Sequence, residues 1–390
     1  MNTRKRAEAI KRELITWRRQ FHQHPELGFE EFETRNYVEK QLQSFGLSAT
    51  RLAKTGLTVF IPGKSNGPTV GLRADMDALP MQEANEQLDY RSKHDGIAHM
   101  CGHDAHTAML LGAAKLLADE PPERGNVKLL FQPAEEGLRG AERMIQDGAL
   151  DNPKVEAIAG THVYAKNEIG TASVTKGLSS GAVDVFSVKI IGKGGHAAHP
   201  YLATDPITIT AEVISSLQQI VSRHVDPLSS AVLSITRIHG GSADNVIPNE
   251  VVFGGTVRTL EPSARDLVES EMHRIVKGIT EAFDAQYEMD YRRGFPSVYN
   301  DPQLIPVLEQ SVENVLGSGA LHYGKPSMGG EDFSYYTEQI PGTMFRLGVG
   351  NKSKNIHASL HSPNFNIDED ALPLGSALLT EWAYRYLAAR

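Results

Sequence analysis

Val127-Lys128-Leu129-Leu130-Phe131-Gln132-Pro133-Ala134-Glu135-Glu136-Gly137 carries an apolar, strand-like run directly into an acidic turn. The same transition recurs where Val70–Leu72 meets Arg73-Ala74-Asp75-Met76-Asp77, and where Ala157–Ala159 is followed by Thr161-His162-Val163. Together with Leu57–Ile61, these runs read as strands, and the helical pattern from Ala105 to Ala118 separates them. Strands alternating with helices predict an α/β domain: a mixed, largely parallel sheet with flanking helices. Ligands of open α/β sheets bind at the carboxyl ends of the strands, so the three polar clusters are expected to converge there.

Outward from that core, Ile10, Leu14, Trp17 and Phe21 keep the spacing of one helical face, with Pro25 ending the helix. A second helix carries Phe32, Val38, Leu42 and Phe45, with Gly46 as its C-terminal cap. From Val183 the rhythm becomes strand, helix, strand, strand, helix, strand through Arg292, the order of a ferredoxin-like α+β unit. The α/β pattern resumes after Phe295 with the run Met344–Val349 and a last helix from about Glu369 to Leu387. The expected organisation is a discontinuous domain of residues 1–181 and 294–390 with an insertion at 182–293. A chain of 390 residues is long enough for two cores.

Composition narrows the function. A net charge of −9 disfavours a nucleic-acid surface, which needs clustered Lys and Arg. No apolar run reaches the roughly 20 residues that span a bilayer. The basic start Met1–Arg6 lacks the apolar stretch of a secretory signal, so a cytoplasmic location and no membrane partner are expected. Cys101 is the only cysteine, which rules out an internal disulfide.

Chemistry concentrates in His99-Met100-Cys101-Gly102-His103-Asp104-Ala105-His106, where thiolate and imidazole donors suited to zinc and similar metals crowd a loop entering a helix. A buried, inert Cys101 with surface histidines is the plainer reading of that segment alone. Glu135-Glu136 adds adjacent carboxylates that can divide metal binding from proton transfer, although acidic pairs on loops are common. His162 and His361, taken singly, fit structural histidines better than ligands, and only convergence with the other donors reverses that.

Taken together these segments resemble the aminoacylase and carboxypeptidase family of co-catalytic metallohydrolases, and within it the N-acyl-amino-acid amidohydrolases. The resemblance spans nearly the whole chain. It begins at Arg18–Leu27 and includes Gly71–Pro80, His99–His106, Gln132–Gly137, Gly194-Gly195-His196, Asn245–Pro248, Gly255–Thr259 and Gly329–Phe333.

The resemblance implies metal ligation by Cys101, His103, Glu136, His162 and His361, with two divalent ions per subunit, from among Zn, Mn, Co and Ni. It gives Glu135 the general acid/base role and Asp75, or its neighbour Asp77, a supporting carboxylate role. A His-x-Asp motif supplies a ligand in the wider family; here the segment reads Asp75-Met76-Asp77, and the Cys101-Gly102-His103 donors compensate.

For the insertion, the resemblance implies a lid and dimerisation role. His196 would hold the oxyanion, in its own or a partner's site, while Asn245 and Arg258 bind substrate, the guanidinium being suited to a carboxylate. The implied activity is hydrolysis of small N-acylated amino acids by a homodimer. A dipeptidase or carboxypeptidase of the same architecture, a cysteine-nucleophile hydrolase, and a non-catalytic metal- or small-molecule-binding protein are the competing readings.

Overall fold

Thr69–Asp75 is buried at every position, which a strand requires when both faces of its sheet are covered. In the computed structural model, which describes residues 2–390 and leaves Met1 of the basic N-terminal stretch outside, this strand lies at the centre of an eight-stranded sheet. Asn126–Gln132 runs parallel to it on one side and Val155–Glu168 on the other, and Gly342–Gly350 is parallel beyond Val155–Glu168. Ala49–Leu52 at one edge and Gly56–Pro62 just inside it pair antiparallel with their neighbours, so the sheet is mixed with a parallel centre.

His103–Asp119 is apolar on nearly all sides because it packs under the sheet and against two helices, Lys11–Gln23 and Leu372–Ala388. Lys11–Gln23 contributes Leu14, Trp17 and Phe21 to that interface. Gly112 lets the helices approach closely: a Cβ there would lie 2.2 Å from Ser376 Oγ and 2.6 Å from Leu14 Cδ2. Among the described residues, no helix is long and apolar enough to cross a membrane.

One expectation is corrected. The strand read as Ala157–Ala159 extends over Val155–Glu168, so His162 lies within it and not after it. Pairing with Gly342–Gly350, including Arg346 opposite His162, carries the ladder past the apolar run that marked the strand in the sequence.

The chain divides into two compact units, the first comprising residues 1–177, 298–325 and 332–390 and the second residues 178–297 and 326–331. The second is wider than the expected 182–293 because Gly181 N donates to Gly329 O and Ser180 bridges Ser327. Its four-stranded antiparallel sheet has the order Ala231–Gly240, Glu250–Thr259, Ala182–Ile191, Gln286–Arg293. Helices Pro206–Gln219 and Pro262–Ala282 complete the strand-helix-strand-strand-helix-strand order, and Phe186, Val188, Ile190, Phe253, Leu217 and Met272 belong to its core. Asp184 is the buried polar anchor of this unit, accepting from Arg265, from Tyr291 Oη at 2.8 Å and from Gly294 N at 3.0 Å.

Candidate metal centre

Cys101 and His103 flank Gly102 at the N-terminus of the helix His103–Asp119. Gly102 has φ +89°, and a Cβ there would stand 2.3 Å from Val163 Cγ2, so both conformation and space require glycine. This close approach brings the Cys101 loop onto the strand of His162, with Cys101 Sγ 3.5 Å from His162 Nε2. His361 N donates to Met100 O at 2.8 Å, which fastens the loop carrying His361 to the Cys101 loop.

The ring nitrogens show what each imidazole can do. His103 Nδ1 lies 2.9 Å from the carbonyl oxygen of Asp77, which can only accept, so Nδ1 carries the proton. His103 Nε2 is buried without a hydrogen-bond partner among the described residues. His162 Nδ1 is likewise 2.8 Å from Val163 O, leaving Nε2 as the lone-pair nitrogen facing Cys101. Burial holds His162 well below the usual imidazole range, with His106 adding to the effect, which favours the neutral ring that a metal needs.

Asp77 ties the histidine to the acidic turn: its Oδ1 is 3.3 Å from His103 Nδ1 and its Oδ2 accepts from Glu136 N at 2.9 Å. The Glu136 carboxylate then meets His361, with Oε1 and Nε2 3.3 Å apart but outside hydrogen-bond alignment. The turn is held in uncommon backbone, with φ 57° at Ala134, 82° at Gly137 and 62° at Arg139, and His361 also adopts φ 60°. Such residues persist where their surroundings over-determine them, and they cluster at functional sites.

Donor atoms within 4.8 Å of one another form overlapping groups: Cys101, His103 and His162; Cys101, Glu136 and His361; and His103, Glu135 and Glu136. The residues fit a metal centre on three grounds: an orphaned buried imidazole nitrogen, a mixed thiol, imidazole and carboxylate set, and Cys101 shared between two triads. Burial pushes the Cys101 thiol up to about 12, a penalty that coordination to a cation offsets by stabilising the thiolate.

Another group, Asp75, His103 and His106, is geometrically close but differs in chemistry. His106 uses both ring nitrogens, one toward Asp75 Oδ1 at 2.6 Å and the other accepting from Val163 N at 2.9 Å. Asp75 is fully buried, with Oδ2 accepting from Arg73 at 2.6 Å and standing 3.8 Å from His103 Nε2. The Arg73 guanidinium and the neighbouring histidines overcome the cost of burial and hold its carboxyl well below the usual range. Its observed contacts are therefore to residues that carry and brace the donors.

Glu135 is buried beside this set, and its Oε1 accepts from Asp332 N at 3.3 Å. The sequence reading gave no role to Arg73, Gln132, His106 or Asp332, although each lies in a segment quoted for the resemblance. For Arg73, Gln132 and His106 the signal was a polar residue inside or at the end of an otherwise apolar strand or helix, whereas Asp332 lies on a turn and carried no such mark.

The second unit carries the other three candidates. His196 is exposed in Gly195–His196, which pairs with Val246–Ile247. Its Nδ1 accepts from Ala198 N at 3.1 Å, so the neutral ring presents Nε2–H as a donor. Asn245 joins the same ribbon by accepting from Ala197 N at 3.0 Å. Arg258 lies on the four-stranded sheet opposite Val183, half-buried, and burial lowers its pKa from the usual guanidinium value.

The sequence profile described as peptidase family M20/M25/M40 matches residues 71–385. An N-acetyl-L-cysteine deacetylase of Bacillus subtilis is 42% identical over 387 residues, covering 97% of this chain and 89% of the relative. An N-acyl-L-amino acid amidohydrolase of Geobacillus stearothermophilus is 46% identical over 296 residues, covering 75% and 79%. Among solved structures, the YXEP protein of Bacillus subtilis, described as a dinuclear metal binding peptidase from the M20 family, superposes with a TM-score of 0.86. It is 35% identical and covers 98% of this chain and 100% of its own.

Proposed function

The chain belongs to peptidase family M20/M25/M40, and we propose that it hydrolyses the amide bond of N-acylated amino acids, releasing a carboxylate and a free amino acid. The observation that carries this reading is the meeting of Cys101, His103, Glu136, His162 and His361 beside the buried carboxylate of Glu135. The relatives named as a deacetylase and an amidohydrolase support the substrate class.

The five donors would hold two divalent cations, from among Zn, Mn, Co and Ni. When bound, such a cation supplies Lewis acidity, polarising the scissile carbonyl and acidifying water. Glu135 takes the proton of the attacking water and returns it to the departing nitrogen, because an amine anion is a poor leaving group. Asp77 holds His103 and Glu136 in register for this chemistry, and Asp75 acts through Arg73 and His106.

In the same proposal residues 1–181 and 294–390 form the catalytic domain and 182–293 serve as lid and dimerisation domain of a cytoplasmic homodimer. Exposed Tyr201, Leu202, Ile207 and Val232 on the second unit support an interface there. His196 stabilises the oxyanion, and Asn245 and Arg258 bind the substrate, Arg258 through its carboxylate.

Turnover of N-acetyl amino acids, N-benzoyl amino acids and dipeptides, measured after separate reconstitution with Zn, Mn, Co and Ni, tests the reading. Preferred cleavage of the acylated substrates is expected. Preference for dipeptides makes the chain a dipeptidase, and inertness on every substrate with metal bound returns it to the binding proteins.

A further inference from the structure

Gly329–Phe333 supplies no donor to the five-residue ligand set, yet Asp332 within it is fully buried. Its carboxylate accepts from Arg73 Nη2 at 2.8 Å, from Gln132 Nε2 at 2.8 Å to each oxygen, and from Ala141 N at 2.9 Å. Arg73 in turn donates through Nε to Gln132 Oε1 at 2.8 Å and through Nη1 to Asp75 at 2.6 Å. The result is a closed buried set in which the charges are paired and hydrogen-bonded, as burial demands.

The places where Asp332 is tied explain what the set does. Gln132 ends the strand that leads into the Glu135 turn, and Ala141 lies in the first turn of the helix Gly140–Gln146 that leads out of it. One carboxylate thus grips both ends of the turn, while the amide of the same residue donates to Glu135 Oε1 at 3.3 Å. Between the two grips the backbone adopts left-handed φ at Ala134, Gly137 and Arg139, which L-residues disfavour without outside support.

We propose that Asp332 is a positioning residue for the reaction: through Arg73, Gln132 and Ala141 it fixes the turn, and with its own amide it aims the Glu135 carboxylate. The proposal rests on Glu135 being the proton carrier.

Asp332→Asn keeps the shape but removes the charge and sets an amide NH2 against donors. The expected result is a kcat lowered by roughly 10- to 100-fold, the scale of a misplacement of about 1 Å, with KM for an N-acetyl amino acid and bound metal unchanged. In a Glu135→Gln background the same substitution is expected to change kcat by less than about twofold, because a residue acting through Glu135 has nothing left to aim. Gln132→Met, which removes two bonds to Asp332 and leaves the Arg73 ion pair, is expected to behave alike and serves if Asp332→Asn fails to fold. Equal losses in both backgrounds, or lost metal in step with activity, would overturn the proposal while leaving Glu135 in its role. Near wild-type turnover of Glu135→Gln alone overturns that role and the proposal with it.

Discussion

The amide of Val163 donates to Nε2 of His106 across 2.9 Å, which leaves that histidine no free lone pair. Its other ring nitrogen donates to Asp75 Oδ1 at 2.6 Å. A buried histidine among candidate metal donors is thereby a brace, and what it braces is the strand position next to His162.

His106→Phe should therefore keep the full number of bound metal ions at saturation but bind them about 10- to 100-fold more weakly, the scale of losing an outer-shell support. Unfolding free energy should fall by roughly 1–3 kcal/mol for each group left unpaired. Metal titration with chemical denaturation measures both. A lower stoichiometry at saturation would make His106 a ligand.

Cys101→Ser exchanges a soft donor shared by two triads for a weakly ligating hydroxyl. Metal content and activity should fall together, by elemental analysis and steady-state assay. Full occupancy with full turnover would remove Cys101 from the centre.

Glu135→Gln should separate the two quantities. The amide preserves shape but cannot take a proton, so metal is expected to stay while turnover drops at least roughly 100-fold, the scale of lost general acid–base catalysis. Loss of metal instead would place Glu135 among the ligands.

The candidate donor segments are legible because their chemistry is local: Cys101-Gly102-His103 and Glu135-Glu136 are each neighbours in sequence, the first entering a readable helix and the second following a readable strand. The parallel centre of the sheet was legible for the same reason, since Val70–Leu72 and Val127–Phe131 are short apolar runs. The supporting set was not. Asp332 meets Arg73 across 259 positions, and Asp75 meets His106 across 31, so no local spacing announces either pair. The left-handed backbone of His361 is equally silent, because its tie is to Met100 O in a distant loop. His162 was misplaced at a strand end because the ladder continues through residues that no longer look apolar.

Glu31 offers a pH test at a carboxyl that is not itself among the candidate donors. It is fully buried, accepts from Thr55 Oγ1 at 2.5 Å and Ala134 N at 2.8 Å, and burial followed by the nearby Asp77 pushes its carboxyl up to about 7 from an ordinary value of 4.5. The folded state then holds a proton that the unfolded state has released between those two values. Stability must fall as pH rises through that window and level off above it. Relative to Glu31→Gln, which does not titrate, the wild type should lose up to roughly 3 kcal/mol between pH 4.5 and 7, with metal loading equal in both. Urea unfolding at stepped pH measures the difference, and parallel curves across the window would show that folding does not raise the Glu31 pKa.

His196 carries the least local information, since its ring is exposed and its one assigned bond is to Ala198 N. If Nε2–H meets the developing oxyanion, it acts more strongly in the transition state than in the ground state. His196→Ala should then raise the barrier by about 2.7–4 kcal/mol with little loss of metal. Mixing this variant with Glu135→Gln distinguishes two arrangements of the proposed homodimer. When His196 completes the partner's site, one of the two sites in the mixed dimer has both groups intact, and activity partly returns. When each chain closes over its own centre, every site keeps a defect and mixing restores nothing. Mixed dimers must first be shown to form, by subunit exchange between differently tagged chains. Full activity of His196→Ala alone would leave the second unit without the catalytic part proposed for it.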